Sequence, residues 1–366
     1  MRVFCPECLR ENDFDFNQFR CDCGGAWEVA DRLPFQPGRI DRSISSLWRY
    51  ANFFGFDAGS HPVSLGAGWT PILSANWKSR TVDVKLEYIS PTGSFKDRGV
   101  EIEVNYLRSR KIFQVVEDSS GNAGAALAAY CARADIGVDI YAPASAAENK
   151  LAQIAVYGAD LHKIPGPRVE ASKAVLEMVG QGATYASHAY HPIYLMGQET
   201  FAWEVWEQYE KNIPTAILIP TGQGGLLLGA WFGFSRLLEA GLIQQMPRLF
   251  AVQPQRLAPI YSALEKGLDT IPALQPAQPS IAEGLAIVQP VRGKRILQAL
   301  RESRGGSLVV TEQEIRQAHT RLARMGLFVE PSSAIAAAAI DQVQSLLREN
   351  DRILVVLTGS GLKSSL

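Results

Sequence analysis

A chain of 366 residues, 47% hydrophobic and 20% charged, has the composition of a soluble globular protein large enough for two domains with their own cores. Its 36 Lys and Arg balance 37 Asp and Glu, so no long-range field draws it onto nucleic acid or an anionic membrane. The expected partner is a small molecule.

The N-terminus, Met1-Arg2-Val3-Phe4-Cys5, lacks the apolar stretch of a signal peptide. Five cysteines are too few for a disulfide scaffold of this size, so a cytoplasmic chain is expected. Residues 1–30 stand apart as a unit. Cys5-Pro6-Glu7-Cys8 and Cys21-Asp22-Cys23 flank twelve residues too polar for an independent core. Two cysteine pairs at this separation read as a zinc-ribbon-like knuckle, with Cys5, Cys8, Cys21 and Cys23 completing a tetrahedral structural site. The one-residue gap of the second pair strains chelation. The knuckle is small and not basic, which argues against nucleic acid. Chelating its metal is expected to loosen the N-terminus and leave the chemistry largely intact, because the chemistry-bearing segments lie elsewhere.

From about residue 112 short apolar strands alternate with helices. Strands are expected at 112–116, 138–141 and 160–164, with helices at 121–134, 146–157 and 169–178 between and after them. A loop with His188, His191 and Pro192 leads to a helix at 197–209. Further strands are expected at 216–219, 248–253 and 353–357, and further helices at 312–325 and 332–347. This alternation predicts an α/β fold with parallel sheets covered by helices on both faces. The uncharged stretch 213–234 raises the membrane question, but Pro214, Pro220 and five glycines break it into a strand, a loop and a buried helix.

Four scattered segments carry chemistry. Pro91-Thr92-Gly93-Ser94-Phe95-Lys96-Asp97-Arg98-Gly99 sets one lysine among small and hydroxyl residues at a helix start. A partly desolvated lysine there is a useful amine nucleophile, although a solvated lysine would satisfy the same pattern. Ser119-Ser120-Gly121-Asn122-Ala123-Gly124 follows a strand and opens a helix, a place where amides and hydroxyls converge on a carboxylate or simply cap the helix. Thr221-Gly222-Gln223-Gly224-Gly225 also joins strand to helix, and its amides suit a phosphate. Leu357-Thr358-Gly359-Ser360-Gly361 ends the last strand.

In this order, together with Leu65-Gly66-Ala67-Gly68-Trp69-Thr70-Pro71 and Glu330-Pro331-Ser332-Ser333-Ala334, the segments resemble the fold type II pyridoxal-phosphate (PLP) enzymes, and most closely the threonine synthase family. The likeness covers about residues 61–366. It implies a two-domain, tryptophan synthase β-like fold. The expected division is 1–30 for the knuckle, 31–95 with 205–366 for a large PLP-binding α/β domain, and 96–204 for a small α/β domain.

The resemblance also implies roles. Lys96 would carry PLP as a Schiff base and shuttle the α- and β-protons, and Asn122 would meet the cofactor's 3′ oxygen. Gly222, Gln223, Gly224 and Gly225 would cradle its phosphate, and Thr358 would face the pyridine nitrogen. Ser119, Ser120 and Gly121 would hold the substrate carboxylate, with Thr92 and Ser94 nearby. A hydroxyl opposite the ring nitrogen makes a weaker electron sink than an acid would, favouring elimination and replacement over transamination. The implied activity is conversion of O-phosphohomoserine to threonine and phosphate by a homodimer.

One segment departs from the family. Where an Asn-Ser pair and a downstream Arg are expected, Ala186 and Tyr194 stand in for Asn and Arg, and only Ser187 remains. A charge-assisted contact of this kind is typically worth about 1.5–3 kcal/mol. His188 and His191 could replace it, in which case activity would fade as pH rises through about 6.5, the ordinary histidine value. The loss favours a rival within the family, a serine or threonine ammonia-lyase or a cysteate-synthase-like β-replacement enzyme. A zinc-ribbon binding protein on a retired PLP scaffold is the alternative from another class, and the intact Lys96, Asn122, glycine loop and Thr358 argue against it.

Overall fold

Short extended runs around the first cysteines pair as a small antiparallel sheet of β1 (Arg2–Phe4), β2 (Glu11–Asp13) and β3 (Glu28–Val29), with β1 in the middle. The computed structural model describes residues 1–78, 80–276 and 278–363. It divides into two units, Met1–Gly68 with Ser90–Gly197, and Trp69–Ile89 with Gln198–Lys363.

After the knuckle come β4 (Ile72–Trp77) and β5 (Arg80–Lys85), an antiparallel pair belonging to the second unit. The first unit then resumes with α1 (Lys96–Ser109), β6 (Gln114–Glu117), α2 (Asn122–Ala134), β7 (Gly137–Pro143), α3 (Glu148–Val156), β8 (Asp160–Ile164) and α4 (Arg168–Gly180). Its three strands are parallel in the order β6-β7-β8, with α2 and α3 as crossovers. Nearly every residue of α2 is buried, and its alanines and Gly124 let α1 lie close against it. Helix α5 (Pro192–Gln208) starts five residues before the expected 197, because Pro192 suits a first helical position, where its missing N–H costs nothing.

The second unit continues with β9 (Ala216–Pro220), α6 (Gly225–Glu239), β10 (Arg248–Pro254), α7 (Pro259–Glu265), α8 (Gly293–Glu302), β11 (Gly306–Val310), α9 (Glu312–Arg324), α10 (Pro331–Ala338), α11 (Ile340–Gln344) and β12 (Ile353–Val356). Its six-stranded sheet runs β11-β10-β9-β12-β5-β4, and only edge strand β4 is antiparallel. β9 and β12 are buried along their whole length, as central parallel strands must be when both faces are covered. The helix expected over 332–347 is two helices, with a tightened turn at Ala339. The stretch 213–234 supplies β9, a loop and the start of α6. Among the described residues no helix is long and apolar enough to cross a membrane.

A buried polar cluster anchors the second unit. Lys85, at the end of β5, is fully buried and ion-paired with Glu204, which is also fully buried. The ammonium donates further to the Thr70 carbonyl and to Gln208 Oε1 at 2.9 Å. Glu204 in turn accepts from the Trp69 amide at 2.7 Å, and Thr70 Oγ1 donates to Glu87 at 2.7 Å. The Trp69–Thr70 turn, with Trp69 in a left-handed conformation (φ 51°), is held by these bonds.

Candidate active site

Within the first unit, Lys96 is the first residue of α1 and is half-buried. Its Nζ lies 4.7 Å from the Phe95 ring centroid and 5.9 Å from that of Tyr194. The turn before it is tied by Asp97, which accepts from the Thr92 amide at 2.7 Å and from the Thr92 hydroxyl. Thr92 therefore spends its hydroxyl proton on the turn. Ser94 is fully buried, and among the described residues its Oγ has no hydrogen-bond partner. An unmet hydroxyl of that kind is costly unless a ligand or water meets it.

Ser119, Ser120, Gly121 and Asn122 form the turn from β6 into α2, and all but Ser119 are half-buried. The loop is pinned from below. A Cβ on Gly124 would lie 1.9 Å from the Ser119 carbonyl oxygen, so only glycine lets the loop sit this low on the helix. A shallow loop of hydroxyls and amides at the N-terminus of a 13-residue helix fits a carboxylate.

The segment expected to depart from the family centres on Tyr194. Its ring is fully buried, and a Cβ on Gly99 would fall 2.3 Å from its Cε2. Tyr194 thus fills the space over Gly99 in α1, where the family pattern leads one to expect an arginine. Ser187 is buried at the loop start, where its carbonyl accepts from the amides of Tyr190 and His191. His188 Nδ1 lies 2.8 Å from Glu117 Oε1. Burial, with Lys96 and Arg168 adding to it, holds His188 well below the ordinary imidazole range. That environment favours the neutral imidazole. His191 is buried before α5. It packs against Phe14 (ring centroids 5.2 Å), Phe16 (5.8 Å) and Tyr106 (6.5 Å), with Nδ1 3.9 Å from the buried Glu103.

The loop between the cysteine pairs packs against the segment before α5: besides Phe14 and Phe16 on His191, Phe19 stands edge-on to Tyr185 at 5.2 Å and to Tyr190 at 5.1 Å. The four thiols are free and lie within 4.8 Å of one another, with Cys5–Cys23 at 3.4 Å and Cys8–Cys21 at 3.6 Å. A tetrahedron of bonds of about 2.3 Å would set sulfurs about 3.8 Å apart, so the donor set fits a metal despite the short second gap. Gly25 is required here, since its Cβ would be 2.6 Å from Cys5 Sγ.

In the second unit the glycine loop joins β9 to α6. Gly224 has φ 81°, and a Cβ on it would meet Ile296 at 2.4 Å. Gly222 is closed in by Ile287, and Gln223 Oε1 accepts from the Val291 amide at 3.0 Å, so the Gln223 side chain fixes the loop's own backbone surroundings. Gly225 opens the 15-residue α6, and the amides there suit a phosphate. Thr358 is buried after β12, and its amide donates to Ser333 Oγ at 2.8 Å.

Glu117 and Asp97 escaped the sequence reading. The signal for Glu117 was present: an acidic residue at the C-terminal end of a buried parallel strand, where ligands gather in α/β sheets.

A family model for pyridoxal-phosphate dependent enzymes matches residues 63–359. The chain is 31% identical to threonine synthase of Methanocaldococcus jannaschii across 98% of its own length and 92% of that protein's. It is 29% identical to the threonine synthase of Methanosarcina acetivorans over 98% and 91% of the two chains. Among solved structures, the processed form of threonine deaminase isoform 2 from Solanum lycopersicum matches with a TM-score of 0.72 over 91% of this chain and 94% of that one. At 23% identity this likeness speaks to the fold alone.

Proposed function

Because this chain belongs to the threonine synthase family of pyridoxal-phosphate-dependent enzymes, we propose that it converts O-phosphohomoserine and water to threonine and phosphate. The carrying observation is the half-buried Lys96 amine opening α1, with the unpartnered Ser94 hydroxyl two residues before it. In this proposal Lys96 and Asn122 hold PLP, Gly222, Gln223, Gly224 and Gly225 hold its phosphate, and Thr358 meets its ring nitrogen. Bound there, PLP supplies a sink for charge developing at the substrate's α-carbon. Lys96 Nζ removes and restores the α-proton and moves the β-proton to the γ-carbon. Ser119, Ser120 and Gly121 orient the carboxylate, with Ser94 donating beside it and Thr92 holding the turn through Asp97.

Cofactor-loaded protein given phosphohomoserine should release phosphate and threonine in equal amounts, and it should release little ammonia from serine or threonine. The expected replacement of a family arginine at Tyr194 is what favours the ammonia-lyase or β-replacement alternative. Brisk ammonia from serine or threonine, with no phosphate from phosphohomoserine, would decide for it.

For the knuckle, the proposal is a structural zinc on Cys5, Cys8, Cys21 and Cys23, about one ion per chain by metal analysis. Stripping it should raise KM for the amino acid, because Phe14, Phe16 and Phe19 lie against Tyr185, Tyr190 and His191. Protein purified without chelators and free of zinc would contradict the metal assignment.

A further inference from the structure

None of the roles above uses the bond between Glu117 and His188. Glu117 ends β6 and His188 lies in the loop before α5, both in the first unit with Lys96. The pair is 2.8 Å apart, with side chains 1% and 11% exposed. The Tyr194 ring stands edge-on to His188 at 6.2 Å and 5.9 Å from Lys96 Nζ, so imidazole and amine share one neighbour. A carboxyl fixed on Nδ1 commits that nitrogen and leaves Nε2 as the working atom of the ring.

The charge state follows from burial. Burial raises the Glu117 carboxyl well above its ordinary range, and Asp118 and Glu103 push it further, while the Asp118 amide and Arg168 oppose the rise. Burial, Lys96 and Arg168 lower the imidazole. Both shifts favour the uncharged pair, in which the Glu117 O–H donates to Nδ1 and Nε2–H is a donor.

Resting on the threonine synthase assignment, we propose that the Glu117–His188 pair is first the acid and then the base of the reaction. Lys96 is occupied with the α-, β- and γ-carbon protons, yet the departing phosphate needs a proton and the incoming water must lose one. When the γ C–O bond breaks, its electron pair goes to the phosphate oxygen. That oxygen takes the Nε2 proton while the Glu117 proton moves to Nδ1. The pair is now a carboxylate and a neutral imidazole with its Nε2 lone pair available. Water then adds across the α,β double bond. Its oxygen bonds the β-carbon, its proton goes to Nε2, and the alkene pair is taken up at the α-carbon, which Lys96 protonates. The Nδ1 proton returns to Glu117, and the pair ends as it began. One group serving as acid and then base is established chemistry at other carbon–oxygen bonds.

The test is product partition in cofactor-loaded His188→Asn and Glu117→Gln. Loss of a positioned acid–base should cut kcat about 100-fold. Of the phosphate that is still released, only a minority should be matched by threonine, the balance appearing as a 2-oxo acid and ammonia because water addition fails. A merely structural pair would slow both halves and leave the ratio alone. Retained cofactor absorbance certifies the fold of each variant, and Glu117→Gln keeps the shape if His188→Asn does not fold. Phosphate and threonine in wild-type proportion from either well-folded variant would overturn the proposal. No phosphate from the wild-type protein would instead remove the assignment on which it rests, and the proposal with it.

Discussion

Lys96→Ala is expected to reduce turnover by roughly a thousandfold or more, because a nucleophilic lysine and the proton carrier of several steps disappear together. The measurement with the most force is chemical rather than kinetic. Borohydride reduction of the PLP-loaded wild-type protein should fix the cofactor to the peptide containing Lys96, and the variant should yield no such peptide. Recovery of a reduced adduct on another lysine, with activity retained, would displace Lys96 from the centre of the chemistry. The fold should be indifferent to the change, since Lys96 sits at the exposed-to-buried boundary of the first turn of α1.

Lys85→Ala should have the opposite profile. This lysine is buried beside Glu204, and its removal leaves a carboxylate in the interior with its cation gone. Breaking such a pair typically costs about 3–5 kcal/mol, against a total stability of roughly 5–15 kcal/mol for a domain. A fall of about 10 °C in the thermal midpoint is therefore expected. Replacing both partners, Lys85→Met with Glu204→Gln, should recover most of the loss, because the penalty lies in the unpaired charge rather than in the missing attraction. A shift of under about 2 °C for the single variant would mean that the cluster relaxes or admits water more readily than its burial indicates.

The two lysines mark how far the sequence could be read. β9 and β12 were legible because strands covered on both faces are continuous apolar runs, and α9 because Thr311 and Glu314 spell a capping box. The hairpin of β4 and β5 was not. Ile72–Trp77 is an edge strand with exposed Leu73, Ser74 and Asn76, and its alternation is too weak to separate from a loop. Lys96 stood out because small and hydroxyl residues surround it in sequence. Lys85 carried no such sign, since Glu204, which neutralises it, is more than a hundred residues away. Glu117 did carry a sign, its place at the end of β6, but its partner His188 is distant in sequence. At Tyr194 the sequence raised the expectation of a missing arginine, but not the room for the ring, which Gly99 on another helix makes.

The ring contacts of the knuckle have a consequence for descent. Phe14, Phe16 and Phe19 are fitted to Tyr106, Tyr185, Tyr190 and His191, so the two surfaces can drift only as a matched set. A knuckle grafted from a relative with other rings at these positions would meet a face it was never selected against, however well its four cysteines held. Lineages that shed the knuckle should show polar residues where Tyr185, Tyr190 and His191 stand here. Paired substitution at these places, rather than retention of the cysteines alone, is the signature that the N-terminal thirty residues were inherited together with the segment before α5.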